Sequence, residues 1–183
     1  MKATEDQVYI DKVLQGDLAA FAFLVERYKA MAYTLALKIM RNSEEAEDVA
    51  QESFVKAYQQ LHQFAGKAKF STWLYTIVYR TSVSKRQKQG VLILALDDDL
   101  SENYTDDTSS PPLEYLQDEE RQKYVRQAIQ KLPEMEGVVI TLFYMNENTI
   151  REIEEITGLT AANIKVKLFR ARKILEKELR FLL

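Results

Sequence analysis

The most specific chemistry in this sequence lies on its last amphipathic stretch, residues 161–180. Lys165, Val166, Phe169 and Arg170 recur at i, i+1, i+4 and i+5 and share one helical face, with Asn163 just before them. Ile164, Leu168, Ala171 and Leu175, at i, i+4, i+7 and i+11, share the opposite face and predict packing on Ile153 and Ile156. Cations, an amide and apolar groups on one helical face suit the base edges of a DNA major groove. Lys167, Arg172 and Lys173 flank that face and are placed for phosphates, which add affinity without sequence information. An amphipathic helix with a solvated basic face is the bland alternative. The preceding short helix and Gly-Leu-Thr turn, residues 158–160, make a helix-turn-helix the better reading.

A second span, residues 67–88, holds Lys67, Lys69, Arg80, Lys85, Arg86 and Lys88 without a single acid. Phe70, Trp73, Tyr75 and Tyr79 interleave with these charges, a combination that suits single-stranded nucleic acid, where bases stack and phosphates are neutralised. Phe70, Trp73 and Ile77 share a face and are read as core; Tyr75 and Tyr79, at i and i+4, are read as the candidates for base contact. A third span is the reverse in sign. Glu44, Glu45, Glu47, Asp48 and Glu52 put five acids into nine residues with no base among them, so a partner there is a basic protein and not DNA.

Bond-making chemistry finds no support. There is no cysteine and a single histidine, His62, which excludes thiolate zinc sites, Cys nucleophiles and any site needing two histidines. No Gly-rich phosphate loop or nucleophile elbow is present, and the acidic cluster sits on an exposed first turn with no pocket signal. The expectation is a protein that is no enzyme and has no metal and no cofactor.

These three surfaces need helices to hold them. The chain has 183 residues, of which 46% are hydrophobic and 29% charged, with only five Gly and three Pro. So few turn residues argue against a sandwich or barrel and for an all-α fold. The net charge of −3 hides its distribution: residues 28–90 carry +5, residues 91–118 carry −8 and residues 119–183 carry +2. The acidic, Ser/Thr-rich stretch ending at Pro111-Pro112 has no apolar periodicity and reads as a linker. The predicted organisation is therefore a four-helix domain over residues 1–90, a linker over 91–112 and a helix-turn-helix domain over 113–183.

In the first domain, helices are expected at 5–15, from Asp17 onward, from a Ser43 cap and from a Ser71 cap to about residue 88. In the second they are expected at 113–131, at 134–144, from the capping box Thr149-x-x-Glu152 to Gly158, and from a Thr160 cap to the C-terminus. The longest apolar run, residues 91–96, is too short to cross a bilayer, and no signal-peptide pattern opens the chain, so a cytoplasmic location without membrane insertion is expected.

Together these segments resemble the extracytoplasmic-function class of bacterial sigma factors, over about residues 17–88 and 115–180. Asp48, Gln51, Glu52 and Phe54 match the family's D-x-x-Q-E-x-F segment, which the resemblance assigns to the clamp coiled coil of the polymerase β′ subunit. Phe70, Trp73, Leu74 and Ile77 match F-x-x-W-L-x-x-I, which melts and reads the −10 promoter element. Glu152-Ile153 and residues 163–172 resemble the family's −35-reading helix-turn-helix. The resemblance implies core RNA polymerase, through its β′ clamp and β flap, and promoter DNA as partners, an anti-sigma factor as regulator, and a free monomer. It also implies that residues 65–70 border a pocket for a flipped −10 base. The eight acids of residues 91–118 would mimic nucleic acid in a basic polymerase channel.

Three positions depart from the family pattern. Arg80 stands where the family often has Asn, and arginine prefers guanine edges or phosphate. Val166 stands where Ser is usual and can meet a thymine methyl. Glu154 replaces a small Ala, so either it points to solvent or the motif packs differently. The competing reading is a helix-turn-helix repressor or activator that dimerises on a palindromic site through its N-terminal domain. The acid-free span 67–88 argues against it, because a dimerisation domain needs no second nucleic-acid surface. An adaptor that never meets polymerase would leave both basic helices without a role.

Overall fold

Asp17 separates the first two helices. Its carboxylate accepts from the backbone N–H groups of Ala19 (3.0 Å) and Ala20 (3.3 Å), satisfying two donors that would otherwise be orphaned at the start of a helix. In this computed structural model, which describes residues 2–90 and 118–180, that cap divides α1 (Lys2–Leu14) from α2 (Leu18–Met40). α3 (Ser43–Gln60) follows, closing in a 3-10 turn over Leu61–Gln63, and then α4 (Phe70–Lys88). Two caps fall elsewhere than their side chains suggest. Asn42, not Ser43, caps α3: its backbone is extended and its side chain accepts from Glu45 N–H (3.0 Å). α4 starts at Phe70 rather than after Ser71, with no side-chain cap, because the Phe70 ring is buried against Tyr28, Phe64 and Trp73 and draws the first turn inward.

α2, α3 and α4 enclose Leu24, Leu35, Ile39, Val49, Ala57, Leu74 and Val78, all fully buried. Each large aliphatic among them stabilises the domain by about 2 kcal/mol relative to an exposed position. α1 lies on α2 through Ile10 and Val13 and through one buried carboxylate. Asp6 accepts from the Tyr28 hydroxyl (2.6 Å) and from Arg27 Nη1 (2.9 Å), while the other arm of Arg27 holds Glu5 (2.8 Å).

The second unit runs α5 (Asp118–Lys131), α6 (Glu134–Ile140), α7 (Ile150–Thr157) and α8 (Ala161–Glu178). The helix expected over 134–144 does continue past α6, but Thr141–Met145 widens into a π turn in which Asn146 N–H donates to Thr141 O (3.2 Å). Val138, Ile140, Leu142, Ile153, Ile156, Ile164, Leu168 and Ala171 form the core, with Leu175 half-buried at its edge. The described residues contain no strand, so the fold is all-α, and none of their helices is long and apolar enough to cross a membrane. The linker expected at 91–112, its apolar run 91–96 and the helix start expected at 113–117 lie outside the described residues.

The two units are in contact. Lys38 of α2 is buried, and its Nζ donates to the carbonyl oxygens of Ile129 (2.7 Å), Gln130 (3.0 Å) and Leu132 (3.0 Å) at the end of α5. These carbonyls lie at the negative end of the helix dipole, and that of Ile129 also accepts from Leu132 N–H (3.3 Å). To reach them the Lys38 stem passes over Gly137 of α6, where a Cβ would collide with Lys38 Cδ and Cε. Arg86 of α4 donates to the Ile39 carbonyl and pairs with Glu134 (3.2 Å). α4 packs along α7.

Candidate nucleic-acid interface

The helix-turn-helix is set by three local devices. Thr149 and Glu152 form a reciprocal capping box at the start of α7, with Thr149 N–H donating to Glu152 (2.7 Å) and Glu152 N–H to Thr149 Oγ1 (3.2 Å). Gly158 ends α7 in the left-handed region at φ 76°, which a side chain would strain. Thr160 then caps α8 through Asn163 N–H (3.3 Å). Glu154 neither points to solvent nor disturbs the packing. Its carboxylate reaches across the turn and accepts from Ala161 N–H (2.7 Å), a second cap on the same helix.

α8 presents the residues expected on its outer face. Asn163, Lys165 and Arg170 are exposed, and Val166 and Phe169 are 47% and 57% exposed although apolar. Lys173 Nζ sits 4.8 Å from the Phe169 ring centre. Two of the expected phosphate ligands have other partners. Lys167 turns inward to the buried Glu136 (3.4 Å), because a buried carboxylate needs a counter-charge more than an exposed lysine needs solvent. Arg172 Nε donates to Tyr144 Oη (2.8 Å), and its guanidinium lies over the Phe143 and Tyr144 rings. The sequence reading missed Tyr144. It is exposed beside α8 because the π turn widens the helix there, and no spacing in the sequence announces a π turn.

On the basic span, the structure keeps Phe70 in the core as read and moves Tyr75 there too, against its reading as a base contact. Tyr75 is only 3% exposed, with its ring edge-on to Tyr28, and burial pushes its hydroxyl pKa up. Tyr75 is core, and so is Phe70; neither offers a face for stacking a base. Trp73, read as core, is instead half-buried, tilted against Phe64 (5.3 Å) and Phe70 (5.7 Å). Tyr79 is half-buried and its hydroxyl contacts Met135 Sδ (4.0 Å) across the domain boundary. The reason is that α4 is wrapped on both sides, by α2 and α3 and by α7, so its apolar arc is wider than a single stripe. Lys67 and Arg80 are exposed.

Lys69 Nζ pairs with Glu152 Oε1 (3.0 Å), to which Thr72 Oγ1 also donates (3.3 Å). Partial burial opposes ionisation of Glu152, but the Thr149 amide and hydroxyl and the Lys69 ammonium outweigh it and hold its pKa below the usual carboxylate value. Glu134 goes the other way: burial raises its pKa despite Arg86, Arg41 and Lys38. Burial pushes the Lys38 ammonium down to about 8, Arg41 adds to this, and Glu134 and Glu136 oppose it.

On α3, Asp48, Gln51 and Glu52 are exposed, with Asp48 3.3 Å from Lys85 and Glu52 2.7 Å from Lys56. Phe54, expected alongside them, is 7% exposed and belongs to the core, one helical face away from the acids. Among the described residues no group of three or more His, Cys, Asp or Glu is placed to hold a metal.

Residues 24–91 match the family model described as Sigma-70 region 2, and residues 122–175 the one described as Sigma-70, region 4. The chain is 34% identical over 177 residues to the ECF RNA polymerase sigma factor SigW of Bacillus subtilis, covering 93% of this chain and 95% of that protein. It is 32% identical over 186 residues to the RNA polymerase sigma-H factor of Pseudomonas aeruginosa, covering 98% and 96%. With the ECF RNA polymerase sigma-E factor of Haemophilus influenzae it shares 35% over 185 residues, covering 95% of each. The fold is also similar to that of CnrH, solved in complex with the cytosolic domain of CnrY, at TM-score 0.63 and 19% identity over 96% of this chain and 97% of that one. A similar match is the sigma factor RpoE with the anti-sigma factor NepR from Bartonella quintana, at TM-score 0.63 and 19% identity over 87% and 96%.

Proposed function

Since the chain belongs to the extracytoplasmic-function sigma factors of the sigma-70 family, we propose a division of labour among its surfaces. The protein is an RNA polymerase sigma factor that directs core polymerase to specific promoters for transcription initiation. Asp48, Gln51 and Glu52 on α3 form the acidic face that takes the basic clamp of core polymerase, with Phe54 holding the helix in place from beneath. Lys165, Val166, Phe169 and Arg170, with Asn163 at the first turn, read the −35 element, while Lys173 and Arg172 take flanking phosphates. Lys67, Lys69, Arg80, Trp73 and Tyr79 engage the melted −10 strand, on a frame made by Phe70 and Tyr75.

The domains proposed are residues 1–90 and 113–183, joined by the acidic linker 91–112. The family supplies no bond-making chemistry of its own, and a polymerase subunit works in the cytoplasm. An anti-sigma factor is the proposed regulator, since two structures of similar fold hold such proteins or a cytosolic partner domain.

The observation that carries this assignment is the doubly capped α8 with two large apolar side chains left in solvent among cations. Val166 and Phe169 stand exposed side by side on a face otherwise made of cations, which suits contact with thymine methyls. Run-off transcription with bacterial core polymerase on fragments of the source genome tests it. New discrete transcripts are expected that disappear with Asp48→Arg and that shift or weaken with Phe169→Ala. Transcripts insensitive to both substitutions would overturn the surface assignments.

A further inference from the structure

Arg172 of α8 is exposed yet held in place. Its Nε donates to Tyr144 Oη (2.8 Å), and its guanidinium carbon lies 5.6 Å from the Tyr144 ring centre and 5.9 Å from that of Phe143. The hydrogen bond uses the inner nitrogen, so the Nη fork, the part that matches two phosphate oxygens, is left to face outward. None of these partners carries a negative charge. Lys69 and Arg86 are instead held by carboxylates, which a nucleic-acid phosphate would have to displace. An aromatic cradle fixes the direction of Arg172 and leaves its whole charge available.

The place of Arg172 on α8 fits that use. It lies on the face of Lys165 and Phe169, seven residues beyond Lys165 and so about 10 Å further along the axis. A recognition helix meets base edges with its first turns, and about two turns later its side chains reach the strand at the edge of the groove.

Tyr144 owes its position to an unusual piece of backbone. The π turn over Thr141–Met145 shifts the side chains that follow out of the register of a regular helix. Three residues on, Glu147 holds φ at 53°, a left-handed conformation that residues other than glycine seldom adopt. Two departures within seven residues cost stability, and such departures cluster where a site needs a side chain aimed. Here they leave Tyr144 54% exposed beside α8, against the one arginine it touches.

We propose that Tyr144 is a positioning residue for DNA binding, holding Arg172 as a pre-aimed fork for one backbone phosphate beside the −35 element. This rests on the assignment of −35 reading to α8. A free arginine loses rotamer freedom when it grips a phosphate; Tyr144 and Phe143 have already removed that freedom, so less is lost on binding. The contact adds affinity at every sequence and reads none.

The test uses the full chain assembled with bacterial core polymerase. The probe is a fluorescein-labelled short duplex, taken both as a random pool and as the sequence that the complex selects from it. Arg172→Ala is expected to lower the salt slope of binding by about 0.9, the share of one phosphate, on both probes. Tyr144→Ala leaves the charge in place, so the slope should hold while affinity falls about fivefold, the cost of ordering one long side chain. Tyr144→Phe keeps the ring and loses only the hydroxyl, and should fall between the parent and Tyr144→Ala. In the Arg172→Ala background, both Tyr144 substitutions should have no further effect on binding. A thermal melt of each variant accompanies the series.

An unchanged slope in Arg172→Ala overturns the proposal. So does parental affinity in Tyr144→Ala, or a Tyr144 effect of the same size with Arg172 absent, which would make Tyr144 a DNA contact or a fold support in its own right. Lys165→Ala separates this from the reading beneath it. If that variant selects the same sequence as the parent while Tyr144 and Arg172 stay coupled, α8 does not read the −35 element and the phosphate fork stands.

Discussion

Lys165 and Lys167 are the same residue type two positions apart, and the structure gives them different work. Lys165 is exposed on the outer face of α8; Lys167 neutralises Glu136, whose side chain is buried in its own domain. Lys165→Ala should therefore relax base preference at one −35 position by about 1 kcal/mol, while Lys173→Ala, at a phosphate, should lower the salt slope of −35 binding by about 0.9, the share of one released counterion. Lys167→Ala should leave the slope nearly unchanged and instead lower thermal stability, because it strands a buried carboxylate. A filter-binding series against salt, with a melting curve for each variant, separates the two. Tyr75 and Trp73 divide in the same way. Tyr75→Ala opens a cavity in the core and should cost about 3 kcal/mol in a denaturant titration, whereas Trp73→Ala should show most strongly in binding of the melted strand. Val166→Ser should relax preference for thymine at one −35 position by about 1 kcal/mol, read from selection on a promoter library.

At the scale of elements, caps position the reading helix. α8 has two: Thr160 on Asn163 N–H and Glu154 on Ala161 N–H. Glu154→Ala should cost about 1 kcal/mol and appear as faster hydrogen exchange at the first turn of α8 in the intact protein, with the protection of α6 unchanged. The periodicity of α8 and the box at Thr149 were legible because both are local: they need only the spacing of side chains along one helix. The cap by Glu154 was not, since it spans seven residues through a turn whose geometry depends on Gly158. The start of α4 was misplaced for a tertiary reason, the burial of Phe70, and the π turn at 141–145 has no compositional mark. α1 depends on one buried carboxylate. Asp6→Ala should remove exchange protection from residues 5–14 while α2 stays protected, because Arg27 and Tyr28 would lose the partner that ties the helices together.

At the scale of the molecule, the charge distribution of the chain acquires a use that its net value conceals. Two cations of the basic span, Lys69 and Arg86, pair with acids more than forty residues away, which they meet because α4 packs along α7 and Arg86 reaches Glu134. Of these contacts, salt screens the exposed Lys69–Glu152 pair and leaves the buried Lys38 hydrogen bonds almost untouched. The contact at the end of α5 should therefore survive a rise in salt from about 0.1 to about 0.5 M in the parent and be weakened in Lys38→Met at both, read as hydrogen exchange of the Leu132 amide.

The helical class, the three chemical surfaces and their order were legible along the chain, because residue types, spacing and charge runs are properties of a linear polymer. So were the faces of α8 that point in and out, since one stripe at helical spacing leaves no other choice. Only the packed structure places Tyr75 and Phe54 in the core, turns Lys167 to a carboxylate, and carries Lys38 past Gly137 to the end of another helix. Those outcomes depend on which second element covers a helix face, and coverage by a distant segment leaves no periodic trace in either partner.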